Sequence, residues 1–242
     1  MNPAVDLMTG PFVAALARAG GFAFTAPLLG EPTTPLRARL VFTVAVAAAI
    51  AGTAPAQPIA AVLGLIPLEL GAGALAGVSA RLVLDRIAAG SQLIGLHLGL
   101  GFAADYDPRA GESASSVRKL ISALAGIAFL AAGGLEAGVR CIAMPLRATD
   151  FADLSHVLLL ATSVMTHAIA FAAPVLIAAT IINLGLAFMN RAAPAMNVFS
   201  ISLPVVLLGG GLVLMATAPT MAAAIDATAR EAVAVLDNWG TR

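Results

Sequence analysis

The sequence predicts an all-α integral membrane protein, and three observations support this fold class. Of its 242 residues, 60% are hydrophobic and 11% are charged, against roughly 25% charged residues in an ordinary soluble domain. The mean hydropathy is +0.96. A membrane-spanning helix needs roughly 20 apolar residues, and dividing the chain by this length gives about six apolar helical regions. We expect a single membrane-embedded domain over residues 1–242, with kinked or broken helices.

The apolar regions follow one another along the whole chain. They lie at residues 11–29, 40–54, 59–104 with interruption, 120–135, 155–188 and 198–221. The segments 30–39, 105–119 and 136–153 carry most of the charge and several turn-forming residues, which predicts loops. Residues 222–238 collect their apolar side chains on one face. This pattern predicts an amphipathic C-terminal helix that packs on its own bundle, on a partner or at the membrane interface.

Two regions do not fit a simple helical hairpin. Residues 59–104 carry Arg81, Asp85 and Arg86 in the middle, and Arg81 and Asp85 are four apart on one helical face, where they can pair. Either a turn at the membrane edge or a helix bent or held within a protein assembly accounts for these charges. Residues 155–188 are too long for one span, and we expect Pro174 to kink or split them because an interior proline removes a backbone hydrogen bond.

Composition and charge exclude several classes of function. Thirteen basic and thirteen acidic residues leave no net charge, so no basic field recruits nucleic acid. The single cysteine, Cys141, can form neither an internal disulfide nor a thiolate metal cluster. Because the N-terminus lacks the basic n-region of a cleavable signal peptide, the first apolar run is expected to remain in the mature fold.

Residues 183–204 place amides, an arginine and two prolines between apolar runs. An arginine near the bilayer core costs at least about 2.5 to 3.5 kcal/mol on insertion scales, and it normally faces protein or water. We therefore expect Arg191 to avoid lipid.

The other polar residues of the apolar regions do not form a catalytic set. Glu69 is expected to pair in a structural role, to contact a partner subunit, or to couple protons in a transporter. His97 is expected to be a buried neutral imidazole bonded to a backbone carbonyl or, alternatively, a proton relay. No spacing among His97, His156 and His167 matches a metal-ligand motif, and the glycines near His97 lack the ending of a phosphate loop. We predict no enzyme activity, no metal and no cofactor.

Two local patterns concern packing and turns. Small residues recur at spacing four within residues 71–77, which permits close approach of a second helix. Asp107-Pro108 starts a turn, and Ser115 or Ser116 is expected to cap the helix that follows.

Three groups of residues are more informative in their order than singly. They are Arg18 with Thr25-Ala26-Pro27-Leu28-Leu29 and Pro35-Leu36-Arg37-Ala38-Arg39-Leu40; Gly90-Ser91-Gln92-Leu93-Ile94-Gly95-Leu96-His97-Leu98-Gly99-Leu100-Gly101-Phe102 leading into Asp107-Pro108; and Asn183-Leu184-Gly185-Leu186-Ala187-Phe188-Met189-Asn190-Arg191-Ala192-Ala193-Pro194, continuing to Pro204. In this order they resemble the FliR family of flagellar export-gate proteins and its counterpart in virulence type III secretion systems. The chain departs from the family's usual residues at Gln92, His97 and Asp105-Tyr106.

The resemblance implies a subunit of a hetero-oligomeric helical export gate, in the bacterial inner membrane as a multi-pass protein at the base of the flagellum. The implied partners are P-type and Q-type export-gate subunits, the B-type switch protein and unfolded export substrates. Helices with transmembrane character would then be buried partly against these neighbours.

The resemblance implies a plug loop by position, and we assign two further groups of residues to supporting roles. The plug-loop candidate spans residues 103–119 and includes Ala103, Ala104, Asp105, Tyr106, Asp107, Pro108, Arg109 and Gly111. The residues assigned to a helix that supports the constriction are Gln92, Gly95, His97, Gly99, Gly101 and Phe102. The residues assigned to subunit contacts or structural anchoring are Arg18, Pro27, Glu69, Asn183, Asn190, Arg191 and Pro194.

On this interpretation the subunit is passive: it supplies part of a pore wall and a constriction, while energy comes from elsewhere in the machine. Small apolar residues beside a flexible loop suit a seal that yields to an unfolded chain. Three alternatives are an injectisome gate of the same family, a scaffold without a pore-facing surface, and a small-solute secondary transporter with Glu69, His97 and Arg191 at its midplane.

Overall fold

A computed structural model describes residues 3–52, 56–98, 105–107, 112–144, 154–192 and 198–239. Eight helices and one small β-hairpin form within these ranges. In chain order they are α1 (Pro3–Thr25), α2 (Leu36–Ala51), α3 (Ile59–Leu63), α4 (Ile66–His97), β1 (Asp105–Asp107), β2 (Glu112–Ala114), α5 (Ser116–Ala131), α6 (Gly134–Ala143), α7 (Leu154–Ala192) and α8 (Val198–Asp237). The prediction of a helical membrane protein is confirmed.

Three of these helices are long and apolar enough to cross a membrane within the described residues. They are Ile66–His97, Ser155–Ala192 and Pro204–Asp237. The pair α5 and α6 adds a fourth candidate, bent by 60° at the break between the two helices. Gly133 lies in that break with φ of 85°, a left-handed conformation that glycine adopts without steric cost.

Helix α6 lies where the sequence predicted a loop over 136–153, and that part of the prediction was wrong. Its buried residues recur at helical spacing and are Gly134, Ala137, Gly138, Cys141 and Ile142. Glu136 and Arg140 lie one turn apart on its exposed side. The charges that suggested a loop therefore belong to the outer face of an amphipathic helix.

The charged part of the first irregular region and the whole of the second lie in continuous helices. Helix α4 runs through Arg81, Asp85 and Arg86 without a turn, so the membrane-edge turn predicted as one alternative is absent there. Arg86 is buried, and its Nη2 donates to the Ser163 hydroxyl at 3.0 Å. Helix α7 includes Pro174 in its interior, so this proline does not split it.

The chain forms two compact units, each assembled from separate segments. The first contains Met1–Leu84, Phe129–Ala161 and Ala229–Arg242, and the second contains Asp85–Ala128 and Thr162–Thr228. Helices α4, α5, α7 and α8 each contribute residues to both units.

In the first unit, glycines bring the backbones of α1 and α4 together. A Cβ added at Gly73 would lie less than 3.0 Å from the carbonyl oxygen of Arg18, and one added at Gly21 would overlap the carbonyl of Leu70 in the same way. Gly77 meets Thr25, whose hydroxyl donates to the Ala74 carbonyl at 3.0 Å. The small residues at 71–77 thus allow the close helix packing that the sequence predicted.

In the second unit, an aliphatic core joins α4, α5, α7 and α8. Its buried residues are Ile87, Ile94, Leu98, Ile121, Ala125, Ala172, Val175, Met221 and Ile225.

The C-terminal segment predicted over 222–238 continues α8 without a break at its start. Of its apolar face, Ala229, Ala232 and Leu236 are fully buried, whereas Asp226 and Arg230 are exposed.

Candidate functional site

A buried ion pair joins α1 to the first turn of α4. Arg18 Nε donates to Glu69 Oε2 at 2.6 Å, and Arg18 Nη2 lies 2.5 Å from the same oxygen. The two side chains are only 13% and 7% exposed. Of the alternatives open for Glu69, the structure shows a pairing within the chain, and the opposite charge of Arg18 offsets part of the cost of burying the carboxyl group.

Arg18 also contacts the C-terminal end of α6. Its Nη1 donates to the Ile142 carbonyl at 3.1 Å and to the Met144 carbonyl. The last carbonyls of a helix have no partner within the helix and carry the negative end of its dipole, so a guanidinium is a favourable partner. One side chain therefore ties α1, α4 and α6 together.

Pro27 lies in the tight turn after α1. It is buried, and the next residue, Leu28, has φ of 64°. A left-handed conformation costs a non-glycine residue roughly 1–2 kcal/mol. Hydrogen bonds hold this turn, with the Thr34 hydroxyl donating to the Leu28 carbonyl at 2.6 Å and Gly30 N to the Ala26 carbonyl at 2.8 Å.

In the second unit, the C-terminal end of α4 meets the residue that follows the β-hairpin. Ser115 N donates to Gln92 Oε1 at 3.5 Å, and the Ser115 side chain lies directly over Gly95. Ser115 Oγ accepts a hydrogen bond from Arg118 N at 3.2 Å, so Ser115 caps α5. Two residues of the predicted constriction helix therefore hold the end of the plug-loop candidate.

His97 lies near the end of the same helix and is exposed in this chain. Its Nδ1 lies 3.1 Å from the Leu93 carbonyl oxygen. The expected contact with a backbone carbonyl is present, whereas the expected burial is not.

Three polar residues in the C-terminal part of α7, Asn183, Asn190 and Arg191, are exposed. Asn183 and Asn190 are seven residues apart and share one face of the helix. The buried stripe of this helix includes Ala172, Ala179 and Leu186, and Asn190 follows Leu186 by one turn. Arg191 is the next residue and is likewise exposed in the chain.

Several predicted site residues lie outside the described part of the chain. These are Gly99, Gly101, Phe102, Ala103, Ala104, Pro108, Arg109, Gly111 and Pro194. For Asp105, Tyr106 and Asp107 the backbone is described, and it forms strand β1. Asp105 pairs with Ala114, Tyr106 with Ser113 and Asp107 with Glu112, in antiparallel register.

Within the described residues, no three His, Cys, Asp or Glu side chains lie close enough together to hold a metal ion. The titratable residues described above are instead placed singly or in ion pairs. The geometry consists of contacts between helices, a β-hairpin followed by a capped helix, and exposed amides.

A family model identifies the family to which the chain belongs. The model described as "Bacterial export proteins, family 1" matches residues 10–232. The chain belongs to this family. The resemblance inferred from the ordered motifs is thereby confirmed, and the protein is a bacterial membrane protein of export.

Three relatives of this bacterial export protein are flagellar biosynthetic proteins FliR. That of Pectobacterium carotovorum subsp. carotovorum is 29% identical over 217 residues, covering 84% of this chain and 81% of the relative. That of Escherichia coli (strain K12) is 24% identical over 212 residues, covering 82% and 80%. That of Aquifex aeolicus (strain VF5) is 29% identical over 212 residues, covering 82% and 81%.

The sequence did not reveal two features of the export protein's contact sites. It predicted Ser115 only as a possible cap, without its contact to Gly95, because residues 20 apart along a chain reveal no contact by spacing. It did not predict the carbonyls of α6 as partners of Arg18. The buried spacing of α6 was a usable signal for the helix, since apolar and small residues at i, i+3, i+4, i+7 and i+8 form one face.

Proposed function

We propose that this chain is an export-gate subunit of the flagellar type III protein export apparatus, passing unfolded flagellar proteins across the bacterial inner membrane. The family match over residues 10–232 supports an export role. The flagellar role, over an injectisome role, is supported by the names of the relatives, all flagellar biosynthetic proteins.

The exposure of polar residues on an apolar helix supports a gate that is assembled from several subunits. Asn183, Asn190 and Arg191 are exposed on α7 beside exposed apolar side chains such as Phe188 and Met189. Lipid would leave the arginine and the amides without hydrogen-bond partners, which is costly at membrane depth. A neighbouring polypeptide relieves that cost.

The position at which the buried stripe on α7 ends supports the same conclusion. The stripe that packs inside the chain ends near Leu186, and Asn190 extends it by one further turn. A face that continues beyond the chain's own packing is suited to a contact with another subunit. We assign this face to the P-type and Q-type gate subunits, with the B-type switch protein as a further partner of the assembled gate.

Replacing Arg191 by alanine is expected to weaken assembly without unfolding the chain. Truncating a buried interfacial arginine costs about 2 kcal/mol or more of binding free energy, whereas Arg191 is exposed among the described residues and contributes little to their packing. The measurement is the yield of companion subunits that co-purify with the tagged full chain after co-expression.

A matched control is Arg230→Ala, which removes an exposed arginine from the outer face of α8. Its co-purification yield is expected to equal that of the parent. Equal yields for Arg191→Ala and the parent would contradict a subunit contact at the exposed C-terminal end of α7.

The hairpin β1–β2 supports the plug assignment. It lies within the plug-loop candidate 103–119 and is joined to α5 by a buried serine, Ser115, that caps this helix. A short hairpin on a fixed base blocks a narrow passage and yields when a chain pushes through it. A gate for unfolded protein must not bind each exported side chain strongly. A hairpin that only blocks the passage meets this requirement.

Deleting residues 105–114 is expected to raise small-ion leakage across the membrane several-fold in cells that contain the companion subunits. Ser115 is retained in this deletion because it caps α5. The control is a variant in which the same ten positions are replaced by glycine and serine, which restores length without the paired strands. Normal assembly with parental leakage in the deletion variant would contradict the plug.

The alternative of a small-solute transporter gains no support from the site. It requires Glu69 as part of a shared polar centre, whereas Glu69 is paired with Arg18 inside the first unit. Solute uptake by the purified chain alone in liposomes would favour that alternative, and the export-gate proposal predicts none.

A further inference from the structure

Ser115 connects the hairpin to α5 and is completely buried. It makes contacts on both sides. Its hydroxyl accepts the hydrogen bond from Arg118 N at 3.2 Å, and its backbone N–H donates to Gln92 Oε1 at 3.5 Å. A Cβ added at Gly95 would lie less than 3.0 Å from both Oγ and Cβ of Ser115. The serine side chain therefore occupies the space that any other residue at 95 would fill.

The position of Ser115 is coupled to that of the hairpin. Ala114, the residue before it, pairs with Asp105 at the base of the hairpin. Because the strands are only three residues long, their direction depends on the residues at the base. A shift of Ser115 therefore moves the paired strands β1 and β2.

We propose that Gly95 and Ser115 form the seat that positions the plug-loop candidate, with Gln92 as its polar side. The consequence for the pore rests on the proposed function, whereas the seat itself is a matter of geometry within the second unit. All three are positioning residues, and none is required to touch the exported chain.

The glycine at position 95 supports this proposal. It lies inside α4, where glycine weakens a helix relative to alanine. Gly95→Ala therefore favours the helix itself, and any loss that follows from it arises from the contact with Ser115. The overlapping atoms of Ser115 include its Cβ, which cannot rotate away as the end of a long side chain can.

The residue at the other side of the loop is also held. Leu98 follows α4 and is buried, and a Cβ added at Gly210 of α8 would overlap its Cδ2 atom. The side chain of the last described residue before position 99 and the first residue after the hairpin therefore both pack against glycines.

The experiment measures where the hairpin lies through the reactivity of a cysteine placed on it. The full chain carries Tyr106→Cys in a Cys141→Ala background, is assembled with its companion subunits in membranes, and is treated with a membrane-impermeant maleimide. Gly95→Ala is expected to change the labelling rate of the cysteine at position 106 about tenfold. This is the population shift that typical overpacking of a tight contact produces.

The matched control is Gly185→Ala. This substitution also places alanine inside a helix, and an added Cβ at Gly185 meets nothing within 4 Å. Its labelling rate is expected to equal that of the parent. The rescue variant is Gly95→Ala with Ser115→Gly, which removes the overlapping atoms while glycine still serves as a helix cap. It is expected to return the labelling rate to the parent value.

The outcomes separate the seat from the function of the loop. Parental labelling in assembled Gly95→Ala, or a changed rate that Ser115→Gly does not reverse, overturns the seat. Failure of Gly95→Ala to accumulate, with recovery in the rescue variant, supports it, and failure of both variants overturns it. If labelling follows the proposal while neither Gly95→Ala nor deletion of 105–114 raises ion leakage, the seat stands and the plug function fails.

Discussion

Replacing Arg18 by methionine is expected to destabilise the protein by about 3 to 5 kcal/mol, the usual cost of removing one partner from a buried ion pair. The substitution leaves the Glu69 carboxylate, 7% exposed, without its cation. It also removes the donor to the Ile142 carbonyl and to the Met144 carbonyl at the end of α6. The measurement is the thermal unfolding midpoint of the purified chain in detergent, together with its level in membranes.

The double variant Arg18→Met with Glu69→Met separates the charge from the packing. Replacing a buried ion pair by apolar residues of similar volume is often neutral or stabilising. The only remaining loss is then the hydrogen bonding to α6, about 1 kcal/mol for each bond. We therefore expect the double variant to be clearly more stable than Arg18→Met alone.

Exchange of the charges is a sharper test of the contact with α6. Arg18→Glu with Glu69→Arg keeps an ion pair between α1 and α4, but it places a carboxylate beside the carbonyl oxygens of Ile142 and Met144. We expect the exchanged protein to remain strongly destabilised because a negative group at a helix C-terminus is unfavourable. Parental stability of the exchanged variant, or of Arg18→Met alone, would contradict the role assigned to Arg18.

The apolar regions of the fold were predictable because hydrophobic burial leaves a direct mark on composition and spacing. Helices α1, α2, α4, α5, α7 and α8 all overlap the apolar runs found in the sequence. Helix α6 was missed because its exposed charges, Glu136 and Arg140, outweighed the weak apolarity of its glycine- and alanine-rich buried face. Charge density therefore does not separate a loop from a short amphipathic helix when the buried face consists of small residues.

The sequence left two alternatives open at Arg81, Asp85 and Arg86 for a related reason. A cluster of charges in an apolar run suggests solvent, but α4 continues through it and buries Arg86 against Ser163 of α7. Whether a charge is solvated or buried depends on its partner, and that partner lies 77 residues away along the chain. The partner of Glu69 is similarly remote, 51 residues earlier at Arg18. Sequence spacing identifies a costly group but not the group that compensates it.

The second large effect is expected at Gly73, where α1 and α4 touch backbone to backbone. A Cβ at this position would lie less than 3.0 Å from the carbonyl oxygen of Arg18. A backbone atom of a packed helix cannot rotate away, so the helices must separate, and overpacking of this kind costs about 1 to 3 kcal/mol or more. Separation would also lengthen the Arg18–Glu69 contact, which lies on the same pair of helices.

Gly73→Ala is therefore expected to lower the thermal unfolding midpoint of the chain in detergent, although alanine favours a helix by about 1 kcal/mol over glycine. Gly185→Ala is the matched control, because it makes the same exchange within α7, where an added Cβ meets nothing within 4 Å. The control should keep or raise the midpoint. A lower midpoint in Gly73→Ala alone separates the helix contact from helix propensity, and a rise in both variants would show that α1 and α4 do not meet at Gly73.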